Sequence, residues 1–435
     1  MTASHRITTV ALVALAAACS NSLPTADLDP SLARGGKGGG GTTPITWTLV
    51  DVGDSIYNDV DMSRNRNQAC GSCHLPGFGF SQGTALSTGS LGGLMARHAP
   101  SAAYASFAPN FALVGAGQDA GYEGGLFWDG RAKGGNGSTP IIDQAKGPLV
   151  SLGEHAFSEV CVLWEINVSK YKAGFESTGS FSLATIPFAK IGDATAMNNF
   201  CHKGTAAIPT IPTGFTSADM ANVYLGYDKA ARAIAAFEAS PKVNRFSSKF
   251  DVNRAALTAD ELAGEALFGG NANCSNCHDD GADPVAGRVL FTDWGYHNLG
   301  VPRNPNNPKG KDWLDPGLGA TVGNAAYNGH FRTVTVRNVG KGSPRFYMHN
   351  GVLTSLQQVV HFYNTRDLRR CAAGVTPSKL PVSFADFNPS RPNASPCWPA
   401  PDFPNNDLSN KLGNLGLSAT QENQLVLFMQ TLTDQ

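Results

Sequence analysis

Two pentapeptides constrain this chain more than anything else in it: Cys70-Gly-Ser-Cys73-His74 and Cys274-Ser-Asn-Cys277-His278. Each is a complete C-x-x-C-H haem-attachment motif, of which chance would supply only about 0.004 at this chain's cysteine and histidine frequencies. The spacing follows from the chemistry. Two thiols add to the vinyl groups of one haem, and the adjacent histidine is held beneath its iron. Zinc is one competing reading, but it needs the two cysteine pairs to converge. A thioredoxin-like redox pair is the other, and it has no use for the histidine. The expectation is two covalently bound c-type haems, one on Cys70 and Cys73 with His74 as iron ligand, the other on Cys274 and Cys277 with His278.

A chain of 435 residues, 42% of them hydrophobic, has enough apolar surface for more than one core. With 49 glycines and only 15% charged residues, long irregular loops between modest helices are expected. The fold class read from this is mainly α: two cytochrome-c-like haem domains with long loops, joined by a helix. The 33 basic and 34 acidic residues nearly cancel, which removes any electrostatic case for nucleic acid or for an anionic membrane surface.

Arg6, the apolar run from Ile7 to Ala18 and then Cys19 have the order of a secretory signal, too short to span a bilayer. Ala16-Ala17-Ala18-Cys19 also fits a lipoprotein cleavage site, so free secretion to the periplasm and a lipid anchor at Cys19, facing the periplasm from the outer membrane, both stand open. The expected organisation is a signal peptide over 1–18, a Gly-rich tether over 19–45, a first haem domain over 46–217, a connecting helix over 218–252 and a second haem domain over 253–435. In an oxidising compartment the remaining cysteines fall into two pairs, Cys161 with Cys201 and Cys371 with Cys397, expected as disulfides, with free buried thiols as the alternative.

Helices are expected over Val52–Tyr57 and Thr258–Phe268, one ahead of each haem motif. The second carries a Thr258 cap, Glu261 three residues on, and Leu262, Ala266 and Leu267 at helical spacing. Met220, Tyr224, Tyr227, Ala231, Ile234 and Phe237 mark the joining helix. Ala419–Leu432 reads as a last helix that turns Leu425, Val426, Phe428 and Met429 inward. Leu356, Val359, Val360 and Tyr363 fall at i, i+3, i+4 and i+7 after a Thr354 or Ser355 cap, which puts the tyrosine on a buried face.

Beyond the haem motifs, Arg97-His-Ala-Pro100, Phe127-Trp-Asp-Gly-Arg131, Gln144-Ala-Lys-Gly-Pro148 with Glu154, Thr335-Val-Arg-Asn338 and Tyr347-Met-His-Asn-Gly351 occur in the order found in the bacterial dihaem cytochrome c peroxidase and MauG family. The chain resembles that family across residues 50 to 435. It departs from ordinary peroxidases at three places. Where they carry a histidine that caps the first iron at rest, this chain has Ser90, which implies an open first haem. Where they carry a methionine on the second iron, the ungapped register from His349-Asn-Gly351 arrives at Tyr363, as in MauG-type enzymes. Where the family has an asparagine that helps hold calcium between the haems, the residue is His98, and imidazole is a poor ligand for calcium. The tail from Asn364-Thr-Arg-Asp367 through Cys397-Trp-Pro-Ala-Pro401 to Leu412-Gly-Asn-Leu-Gly416 is similar to MauG-like enzymes of the MbnH type, which oxidise a tryptophan of a partner protein.

The resemblance implies the following roles. Glu154 moves the proton that O–O cleavage of hydrogen peroxide requires, and Gln144 and Pro148 line the same pocket. Trp128 relays electrons between the haems, and Arg131 and Arg337 pair with haem propionates. His74, His278 and Tyr363 are the protein ligands to iron. For most of these a plain structural role, a surface loop, a turn or a core ring, is the competing reading. The function implied is a peroxide-dependent oxidoreductase whose two haems act as a high-valent store for oxidising a periplasmic or surface protein. The alternatives are a cytochrome c peroxidase fed by a small redox protein, and a non-enzymatic dihaem electron carrier.

Overall fold

Helix starts in this chain are written by capping residues. Thr48, Thr216, Thr258 and Ser418 each accept a backbone N–H three residues on, and the residue at that third position reaches back to the cap. These reciprocal bonds satisfy donors that a helix otherwise leaves open. In the computed structural model, which describes residues 46–115, 121–310, 312–372, 375, 377, 379–386, 396–403 and 412–435, the early helices are α1 (Leu49–Tyr57), α2 (Cys70–Cys73) and α3 (Pro140–Val150). Then come α4 (Glu159–Val168), α5 (Lys172–Gly179), α6 (Ala194–His202), α7 (Ser217–Glu238) and α8 (Lys249–Val252). The last four are α9 (Ala259–Phe268), α10 (Leu318–Val322), α11 (Leu356–Thr365) and α12 (Ala419–Gln430). Two short antiparallel ribbons, β1 (Ala112–Val114) with β2 (Gly121–Glu123) and β3 (Tyr296–His297) with β4 (Phe331–Arg332), are the only sheets among the described residues. The mainly helical class holds. The signal segment over 1–18, Cys19 and the tether over 19–45 lie outside the described residues.

Each haem motif sits beside a crossing of two helices. In the first half α1 packs on α7, and a Cβ at Gly53 would lie 1.8 Å from the carbonyl oxygen of Ala233. In the second half α9 packs on α12, and a Cβ at Gly264 would lie 2.0 Å from the carbonyl oxygen of Gln424. The backbones approach that closely only because the side chain is absent. This moves the buried face of α9 away from its expected position. Gly264 and Phe268 face inward while Leu262 is 47% exposed. In α7 the buried stripe likewise runs through Met220, Val223, Tyr227, Ala230 and Ile234, leaving Tyr224 outside. The helix ends at Glu238, short of the expected 252, because Pro241 disfavours helical backbone at the residue before it.

Around the α1–α7 crossing lies one large core that includes Val52, Ile56, Leu163, Val223 and Ile234. A second core joins Phe268, Phe291, Leu425 and Phe428, and a small third one joins Val301, Leu353, Phe362 and Trp398. Both expected disulfides are formed, Cys161 to Cys201 and Cys371 to Cys397, with Cα atoms 5.5 and 4.9 Å apart. The second fastens the tail to α11: Cys371 N–H donates to Trp398 O, and the Trp398 indole N–H donates to Thr365 Oγ1 at 3.1 Å.

Candidate haem sites

Where each C-x-x-C-H motif leaves its short helix, the chain turns so that the histidine is pinned from behind. His74 Nδ1 lies 3.0 Å from the carbonyl oxygen of Phe80, and His278 Nδ1 lies 3.0 Å from that of Phe291. A carbonyl only accepts, so Nδ1 carries the proton and Nε2 keeps its lone pair, the state an iron ligand requires. Both phenylalanines have left-handed backbone, φ 60° and 55°, so the same turn is built twice. Burial lowers the proton affinity of both imidazoles, which favours that neutral form.

The two motifs open into two different cavities, which disposes of a zinc site made from converging cysteine pairs. The first cavity is lined by Cys70, Cys73 and His74; the second by Cys274, Cys277 and His278. The four motif cysteines form no disulfide. Two buried polar groups fit a haem in particular. Arg332 is 5% exposed, lines both cavities and has no carboxylate partner among the described residues. His349, 3% exposed, lines the second cavity with its Nε2 unbonded. Buried cations and orphan donors are costly unless something meets them, and propionate carboxylates would.

The expected residues of the first site come together. Gln144, Pro148, Glu154, Trp128 and Arg131 all line the first cavity. Pro148 falls inside α3 and has no N–H, so it breaks the hydrogen-bond ladder where the helix borders the cavity. Burial raises the proton affinity of Glu154, against smaller opposing effects of Ser151 and Arg131. Ser90 faces away from the cavity; its hydroxyl donates to Asn67 Oδ1 at 2.8 Å and accepts from Asn65 N at 3.0 Å.

Trp128 lines both cavities. Its indole N–H donates to His98 O at 2.7 Å, and His98 N–H donates in turn to His349 O at 2.8 Å. The Trp-Asp-Gly turn that carries it is fixed on two sides. Arg97 binds Asp315 at 2.7 Å and Asp129 at 2.6 Å, and Gly130, φ 74°, leaves room for the Tyr296 hydroxyl 2.3 Å from where a Cβ would be. His98 itself is neutral and buried, its ring bonded to Gln82 and Ala85 at one nitrogen and Ser81 at the other. It offers calcium no oxygen from its side chain.

In the second cavity α11 presents Tyr363, whose phenol oxygen has no protein hydrogen-bond partner among the described residues. Of the rivals for that place, His361 is turned away and bonded to Glu422 at 2.9 Å, whereas Met348 and His349 share the cavity. One expectation needs correction. Arg337 is absent from both linings; its guanidinium is bidentate to Asp251 at 2.8 and 2.9 Å and its Nε donates to Val289 O. Held on Asp251 and outside both linings, Arg337 is not at hand for a propionate, whereas Arg332 lines both cavities. Glu238 was also unforeseen. It is 5% exposed, lines the first cavity and has an unbonded carboxylate oxygen, with burial pushing its pKa up to about 8. Neither Arg332 nor Glu238 lies in a recognisable motif.

Comparison with known proteins agrees with this geometry. The family profile described as di-haem cytochrome c peroxidase matches residues 48–257. The methylamine utilization protein MauG of Paracoccus denitrificans is 29% identical over 411 residues, 90% of each chain. A cytochrome c peroxidase of Denitromonas iodatirespirans is 23% identical, covering 90% of this chain and 82% of its own. Among solved structures, the dihaem peroxidase BthA of Burkholderia thailandensis superposes with a TM-score of 0.61 at 26% identity, covering 89% of this chain and 86% of its own. A MauG-like protein associated with microbial copper homeostasis shares the fold, with a TM-score of 0.56 at 22% identity over 90% and 91%.

Proposed function

Because the chain belongs to the dihaem cytochrome c peroxidase and MauG family, and so binds two c-type haems in a peroxide-dependent oxidoreductase, we propose that it spends the oxidising power of peroxide on a protein side chain, a tryptophan of a partner in the periplasm. The observation that carries this reading is the asymmetry of the two cavities. The first holds the proton-handling groups Glu154 and Gln144, the second holds Tyr363, and Trp128 borders both.

When bound, the haems supply the redox-active iron that takes two electrons' worth of oxidation from peroxide. The chain's part is to place protons and electrons. Cys70, Cys73 and His74 would hold the first haem; Cys274, Cys277 and His278 would hold the second, with Tyr363 as its further ligand. Glu154 would carry a proton between the peroxide oxygens, with Gln144 as a hydrogen-bond donor and Pro148 as an apolar wall of the same cavity. Trp128 passes an electron between the two sites. Tyr363, as an oxygen ligand that gives up its proton on binding, would favour an oxidised second site. Arg332 would meet a propionate, and so would Arg131 through the donors that its pairing with Asp129 at 2.8 Å leaves over. Among the described residues no helix is long and apolar enough to cross a membrane, and Cys19 is the one place where a lipid anchor would attach.

A cytochrome c peroxidase fed by a small cytochrome is the second reading, and Met348 in the second cavity is the observation that favours it. Absorption and EPR titration of the diferric protein with peroxide separates the two. A high-spin first haem that yields a two-electron-oxidised state spread over both sites is the expected result. Two six-coordinate irons inert to peroxide would reduce the protein to an electron carrier. Glu154→Gln should leave haem content unchanged and slow the peroxide reaction by about 10²–10⁴-fold, the usual worth of general acid–base help. A variant at the wild-type rate in stopped flow removes Glu154 from the mechanism.

A further inference from the structure

His155 follows Glu154 directly, lines the same cavity and is given nothing to do by the reading above. It is 2% exposed, and its Nδ1 lies 2.9 Å from the carbonyl oxygen of Met62. As at His74, a carbonyl fixes the proton on Nδ1. Nε2 is left as a bare lone pair, with no protein partner among the described residues. Burial and then the nearby His74 hold this imidazole neutral, its pKa lowered to about 4, while burial shifts the neighbouring Glu154 carboxyl the opposite way. Burial thus favours the uncharged form of both groups, an imidazole with a lone pair to accept a proton beside a carboxyl with a proton to give.

We propose that His155 is a second catalytic residue of the first site: its Nε2 accepts the proton of the peroxide oxygen that meets the haem, and Glu154 gives a proton to the oxygen that departs. The proposal rests on the peroxide reading above and deepens it. The O–O bond breaks with both its electrons on the departing oxygen, which takes the Glu154 proton and leaves as water. His155 then returns its proton to Glu154, its neighbour in the chain. The second water forms when the substrate has given two electrons and solvent two protons, so that one peroxide, two electrons and two protons become two waters.

Cyanide provides a readout independent of turnover, since hydrogen cyanide must lose a proton to bind ferric haem as the anion. His155→Gln and His155→Asn both keep a side-chain N–H for the Met62 carbonyl and neither offers a base. In stopped flow, each is expected to slow both the peroxide reaction, by about 10²–10⁴-fold, and cyanide binding, with haem content and the second-haem spectrum as in wild type. Variants with wild-type rates toward either reagent overturn the proposal. So does a resting first haem that is low-spin in the wild type and high-spin only in the variants, because His155 would then be an iron ligand. Wild-type protein inert to peroxide would instead sink the peroxide reading itself, a result distinguishable from variants that merely match a reactive wild type.

Discussion

Tyr363→Phe is expected to keep both haems and the fold, to change the absorption and EPR signature of the second haem, and to abolish oxidation of a protein substrate. The change removes one oxygen atom, and that atom has no protein hydrogen bond among the described residues. No buried partner is orphaned, so the cost in stability should be under about 1 kcal/mol, at the low end of what single substitutions cause. The ring stays packed against Phe362, 5.8 Å away between centroids, and against the small core that Trp398 and the Cys371–Cys397 bridge hold to α11. A large functional loss on a nearly silent structural background would therefore come from the phenol oxygen alone. If the second-haem spectrum of the variant were indistinguishable from wild type, tyrosine would not be the ligand. Met348, from the same cavity, would take its place and the peroxidase reading would rise with it.

What was legible in the sequence follows how local the signal is. The haem motifs, the Thr258–Glu261 cap and the Gln144–Pro148–Glu154 group each lie within a few residues, so the chemistry and the spacing are written together. Tyr363 needed both a helical period and a register. Arg337 misled because its true partner, Asp251, lies 86 positions away in the chain, and nothing near Thr335-Val-Arg-Asn338 announces a buried ion pair. Arg332 escaped notice for the converse reason: what singles it out is its place on both cavities and the lack of a carboxylate partner among the described residues. The buried face of α9 was misjudged at Leu262 because apolar period alone does not reveal a helix crossing closed by a glycine. His155 was visible as a residue, but only the Met62 carbonyl, 93 positions away, fixes which nitrogen carries its proton.

Those crossings give the largest expected effect on stability. By helix propensity alone, Gly53→Ala and Gly264→Ala should each stabilise by about 0.5–1 kcal/mol, since alanine surrenders less backbone entropy. The structure reverses the sign. The new Cβ would lie 1.8 Å from Ala233 O in one case and 2.0 Å from Gln424 O in the other, and both obstacles are backbone atoms of a packed helix. No rotamer relieves such a contact; the helices must separate and loosen the core around them. Overpacking of this kind costs about 1–3 kcal/mol and more where the backbone itself must move, so each change should be destabilising by about 3 kcal/mol, measured by denaturant unfolding. The damage should also be local. Gly53→Ala should disturb the spectrum of the haem on His74 first, and Gly264→Ala that of the haem on His278. Gly77→Ala, where a Cβ meets nothing within 4 Å, is the control and should change stability by less than about 0.5 kcal/mol. Stabilisation by either crossing substitution would mean that the two helix pairs do not approach as closely as described, and the twofold use of one haem-bearing crossing would lose its physical basis.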